Sequence, residues 1–115
     1  MKPYTVITIG YMFLITLLSH VPQDDIPKSD LDSIDYPFHF AEYSILGFLL
    51  FRSITSDELL TFHPFYGSLL IGISFAILDE FHQSFVPGRH MSSTDVLFDS
   101  LGIVFGMFAS YKIRN

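Results

Sequence analysis

Apolar and polar positions fall in long blocks along this chain, not in two-residue steps. Tyr4–Ser19 carries no charge and is closed by His20, Val21 and Pro22. Gln23–Asp35 is polar, with aspartates at 24, 25, 30, 32 and 35, one Lys and Pro27. Pro37–Ile54 is apolar again except for His39, Glu42 and Arg52. Pro64–Phe85 stays apolar until Asp79, and Ser93–Ile113 becomes apolar after Asp99. Each block approaches the ~20 residues that a helix needs to cross the hydrocarbon of a bilayer. The pattern predicts an all-α, integral membrane chain. Its four transmembrane helices, at about 4–19, 37–54, 64–85 and 93–113, pack as a small bundle in one domain.

Local signals set the expected boundaries. Asp35 followed by Pro37 reads as the start of the second helix, because proline suits the first helical position. Thr55 and Glu58 have capping-box spacing, which predicts a brief helical turn in the connection. Pro64 opens the third helix and Val86-Pro87-Gly88 ends it. Ser92-x-x-Asp95 is a second capping box, opening the fourth. After Leu18 no small-x-small pattern follows, so the first block is expected to be a retained helix and not a cleaved leader. The aspartate-rich stretch reads as a solvated connection.

Composition sharpens this picture. Half of the residues are hydrophobic and 16% are charged, too little charge for a soluble domain of 115 residues. Cysteine is absent, which excludes disulfides and thiolate chemistry. Net charge is −6, with six scattered basic residues, so no nucleic-acid patch is available. Lys2, Arg52, Lys112 and Arg114 fall on one side of a four-helix arrangement, Lys28 and Arg89 on the other. By the positive-inside rule both ends face the cytoplasm.

The chemistry is concentrated where the second, third and fourth helices meet the outer interface. His39 and Glu42 lie three apart, on one face of the second helix. The third carries Asp79, Glu80, His82 and Gln83, the fourth Asp95 and Asp99. Helical rise puts Glu42, Asp79 and Asp99 about 6–9 Å inside their helix ends, at a common depth. Arg89 sits in the loop above them, as the expected counter-ion. Asp95, Asp99, Gly102 and Gly106 form one stripe, and Gly102-x-x-x-Gly106 is a small-residue packing face.

Three uses of this layer follow from the residues. In a structural one, Asp95 caps its helix, Glu80 turns toward lipid head groups and Arg89 neutralises Asp79 or Asp99. In the second, the layer is a pocket that binds or transports a polar or cationic group, because acids within a span need a partner or a cavity. The third is catalysis by paired carboxylates, or a metal held by His39, Glu42 and Asp79. Their spacing matches neither HExxH nor paired Glu-x-x-His motifs. No motif specifies a cofactor or an oligomeric state. The expected partners are the lipid bilayer and an envelope lipid or polar small molecule.

His39 with Glu42-Tyr43 and Gly47, Asp79-Glu80-x-x-Gln83, Pro87-x-Arg89 and Asp95-x-x-x-Asp99-x-x-Gly102 together resemble the pattern of the VanZ-like membrane proteins. Asp99 stands where that pattern carries Asn, which adds a negative charge. The resemblance implies a small multi-pass protein of the bacterial inner membrane. It also implies a link to low-level resistance to the glycopeptide teicoplanin, the trait associated with the founding member.

Overall fold

The computed structural model describes residues 3–19, 28–57, 63–85 and 93–114, and among them every regular element is a helix. These are α1 (Pro3–Ser19), α2 (Lys28–Ser56), α3 (Pro64–Gln83) and α4 (Ser93–Arg114). Successive helices run up and down, so α2 and α4 are parallel, and α1 and α3 run against them. Both α1 and α3 pack on α2, α3 also packs on α4, and α1 barely meets α3.

The closest pairing is α2 with α4, and glycines make it possible. A Cβ on Gly106 would strike the Ser44 carbonyl oxygen, and one on Gly47 would strike the Ile103 carbonyl oxygen. At Gly102 a Cβ would lie 2.5 Å from the Phe40 oxygen. Backbone therefore meets backbone along about two turns of each helix, an approach that membrane helices also make through small residues. Tyr43, Leu46, Leu50, Phe51, Ala76, Ile103 and Met107, with Ile15 from α1, fill the core beside this contact.

Two boundaries differ from the sequence expectation. Helix α2 begins at Lys28, not at Pro37, and Pro37 lies inside it. Proline lacks one backbone donor and crowds the preceding turn, but its fixed φ is helical, so a helix can continue through it. Thr55 also caps nothing: it lies within the last turn of α2, where its Oγ1 donates to the Phe51 carbonyl at 2.8 Å. Glu58 and Ser92, the other members of the two expected capping boxes, lie outside the described residues. Helix α3 is instead capped by His63, whose Nδ1 accepts from Phe65 N at 3.2 Å, with Pro64 at the first helical position.

The exterior is apolar. Phe13, Tyr66, Leu70, Leu78, Phe85 and Ile113 are each more than three-fifths exposed, and Leu97, Phe105 and Phe108 more than half. The interior holds Thr8, His39, Glu42, Ser53, Asp57, Asp79, Glu80, Gln83, Asp99 and Ser110. Helices Pro64–Gln83 and Thr94–Ile113 are long and apolar enough to cross a membrane.

Candidate functional site

The buried polar groups collect at two levels. The lower level joins the start of α1 to the ends of α2 and α4. Asp57 Oδ2 accepts from Thr5 N at 2.8 Å and from Thr5 Oγ1 at 2.6 Å, so the residue that follows α2 supplies the N-terminal cap of α1. Ser53 Oγ donates to the Tyr4 carbonyl at 3.0 Å and pairs with Thr8 Oγ1. Arg52 donates from Nε to Ser110 Oγ at 3.3 Å, and its guanidinium lies 4.8 Å from the centre of the Phe48 ring. Apart from Arg52 Nη2, which is buried without a hydrogen-bond partner among the described residues, these groups close on one another, which marks this level as a clasp that holds three helix ends together.

The upper level is built from α2, α3 and α4. On α2, His39 and Tyr43 are four residues apart and face the same way, their rings within 4° of parallel. His39 Nδ1 lies 2.7 Å from Asp99 Oδ1 on α4, a buried hydrogen bond across the glycine contact. The ionised carboxylate can only accept, so Nδ1 carries the proton and Nε2 is the nitrogen left to act. Tyr43 donates its hydroxyl to Asp79 Oδ2 on α3 at 3.0 Å, and Gln83 Nε2 donates to the same oxygen at 3.4 Å. Glu80 is the neighbour of Asp79 in sequence yet is also fully buried. It reaches inward because α3 is flanked by α2 on one side and α4 on the other, so two of its faces are interior. One ligand atom each from His39, Glu80 and Asp99 lies within 4.8 Å of the others.

Of the residues singled out in the sequence, this level brings together His39, Asp79, Glu80, Gln83 and Asp99. Glu42 is buried one turn along α2 from His39, and its carbonyl accepts from Tyr11 of α1 at 2.7 Å. His82 and Asp95 are half-buried at the edge. Arg89 lies outside the described residues. The group with metal-ligand spacing is His39, Glu80 and Asp99, and it shares only His39 with the set of His39, Glu42 and Asp79 drawn from sequence spacing. Gly102 and Gly106 face α2 directly beneath. Tyr43 was not among the sequence candidates, although its position one turn from His39 is a usable signal.

Electrostatics decide what the level can do. Among the described residues, Glu42, Asp79, Glu80 and Asp99 are the four buried acids of this level, and His39 is the buried base among them. Removing an ion from water costs several kcal/mol even after relaxation, and attraction to a partner offsets that cost only with good geometry. His39 compensates one carboxylate, and Tyr43 and Gln83 supply donors to another. Asp99 Oδ2, fully buried, has no hydrogen-bond partner among the described residues. The arrangement is suited to holding positive charge, or to proton transfer through an imidazole oriented by a carboxylate.

No curated protein and no solved structure matches the chain. A family model described as VanZ/LLP1 matches residues 5–114. That span takes in all four helices and every residue of the upper level, so the chain belongs to the VanZ/LLP1 family.

Proposed function

We propose that the chain is a multi-pass protein of the bacterial inner membrane. Its upper polar level is an outward-facing pocket for a polar or cationic group of a cell-envelope ligand. The observation that carries this is the inverted distribution of polarity. Large apolar side chains cover the outside, while His39, Glu80 and Asp99 are at most 4% exposed. Ionisable groups are found inside a membrane span where they serve a ligand, an ion or a proton path. The surplus of acid over base among the described residues favours positive charge, and the apolar exterior suits lipid. A contribution to teicoplanin resistance belongs to this reading as an envelope role.

The test uses the full chain in nanodiscs, in chelator-containing buffer. Thermal stability is compared in phosphatidylglycerol alone and with added phosphatidylethanolamine, whose head group carries an amine. Wild type should be stabilised by the amine lipid, Asp79→Asn should lose the effect, and Asp79→Glu should keep part of it. Equal stabilisation of wild type and Asp79→Asn would contradict the pocket.

One observation favours a second reading, an enzyme acting on a lipid-linked or cell-wall substrate. The 2.7 Å contact of His39 Nδ1 with Asp99 holds Nε2 in the orientation a general base requires. Catalytic groups tolerate displacements of only about 0.5 Å, so an enzyme should lose its activity in Asp79→Glu as fully as in Asp79→Asn.

A further inference from the structure

We infer that His39, Glu80 and Asp99 form a binding site for one divalent transition-metal ion of the Zn2+/Mn2+ class. The inference rests on the pocket reading above and names the positive charge held at its deepest point. Each of α2, α3 and α4 contributes one donor, and the three donor atoms lie within 4.8 Å of one another at complete or near-complete burial. Bonds of about 2.1 Å in a tetrahedral site set donors about 3.4 Å apart. Side-chain rotations at the three residues would bring the donors to that spacing.

A second observation points the same way without reference to spacing. Asp99 commits Oδ1 to His39, and its other oxygen is buried without a hydrogen-bond partner among the described residues. Buried polar atoms are nearly always partnered in native proteins, so a buried carboxylate oxygen left over requires an explanation. A buried carboxylate with one oxygen left without a donor is costly. An ion of charge +2 that takes the place of the proton on His39 Nδ1 removes both difficulties, since it binds the Nδ1 lone pair, accepts that of Oδ2 and balances Glu80 and Asp99 together.

The donor set selects the class of ion. Ca2+ and Mg2+ prefer all-oxygen shells of six or more ligands, several of them water. Imidazole with two carboxylates suits Zn2+ or Mn2+. Three protein donors leave a coordination position open, as in sites that take an external ligand. Asp79, with Tyr43 and Gln83 bonded to its Oδ2, is the neighbouring acid to which the polar group of an envelope ligand would bind.

The experiment strips the purified full-length chain with chelator in detergent and titrates it with Zn2+, Mn2+ and Co2+. Bound metal is measured by elemental analysis, and Co2+ is followed by its visible ligand-field spectrum. We expect one ion per chain, a Co2+ spectrum with nitrogen and oxygen donors, and a raised melting temperature. Glu80→Gln and Asp99→Asn should each weaken binding about 100-fold or more. Changing Asp24 and Asp25 to Asn in the aspartate-rich stretch should leave it intact. No retained ion and no ligand-field spectrum in wild type would overturn the site. So would wild-type affinity in both Glu80→Gln and Asp99→Asn. If one of these two variants does not fold, the other decides with the Co2+ spectrum. Stabilisation by the amine lipid is scored separately, in chelator. If it persists while no ion binds, the metal inference alone fails. If an ion binds and the lipid effect is absent, the amine pocket alone fails.

Discussion

Gly106→Ala is the smallest change that should pull the two central helices apart. The new Cβ would collide with the Ser44 carbonyl oxygen and lie 2.6 Å from Phe48 N and 2.9 Å from Ser44 C. These are backbone atoms of α2, so no side-chain rotation relieves them. Comfortable carbon contacts need about 3.5–4.0 Å, so α4 must retreat by about 1 Å. Overpacking typically costs about 1–3 kcal/mol, and a collision with a helix also pinned at Gly47 and Gly102 belongs at the upper end. Alanine's better helix propensity returns up to about 1 kcal/mol, leaving a net loss of about 2 kcal/mol. Gly10→Ala is the internal control, because a Cβ there has nothing within 4 Å. That variant should be neutral or stabilised by up to about 1 kcal/mol. Denaturant unfolding of both in the same detergent therefore isolates the collision as a difference of about 3 kcal/mol. A retreat of about 1 Å also stretches the 2.7 Å contact between His39 and Asp99 past hydrogen-bonding range, so ion binding should weaken together with stability. Equal behaviour of Gly106→Ala and Gly10→Ala would refute the backbone contact.

Three further changes probe the two polar levels. In metal-free protein, His39→Leu should cost about 3–5 kcal/mol, since it leaves Asp99 buried without its base. Adding Asp99→Leu should recover part of that loss, which an unfolding double-mutant cycle measures; strict additivity would separate the two residues. Tyr43→Phe removes the hydroxyl donor to Asp79 and should destabilise by about 1–3 kcal/mol, read as a lower melting temperature. Asp57→Ala removes the cap of α1 at the opposite end and should lower stability by about 1–2 kcal/mol, with no change in ion affinity at the upper level.

Much of the fold is written in single-helix patterns. The uncharged run before Asp79 and the apolar run after Asp99 mark α3 and α4 directly, because each helix carries its own periodicity. The start of α2 is not visible in the same way. The rule placing proline at a first helical turn points to Pro37, whereas α2 continues back through it to Lys28. Thr55 misleads for a similar reason, since a hydroxyl that bonds back to Phe51 has the same local sequence as one that caps. At the site, helical rise places Glu42, Asp79 and Asp99 at one depth. It cannot say that Glu80, about 100° around α3 from Asp79, also points inward. That depends on helices touching α3 on two faces, a tertiary fact. Tyr43 escapes for the converse reason: an aromatic residue on an apolar helix reads as packing until its hydroxyl is seen against Asp79.

The central claim is a membrane-embedded bundle whose polar pocket opens away from the cytoplasm. Single cysteines at Ser29, in the first turn of α2, and at exposed Ser56, in its last, test it most directly, because the chain has no cysteine of its own. In intact cells an impermeant thiol reagent should label the cysteine at 29 and spare that at 56 until the membrane is opened. Labelling at 56 but not at 29 would invert the protein and place the pocket on the cytoplasmic side. Equal labelling at both would contradict the span between them.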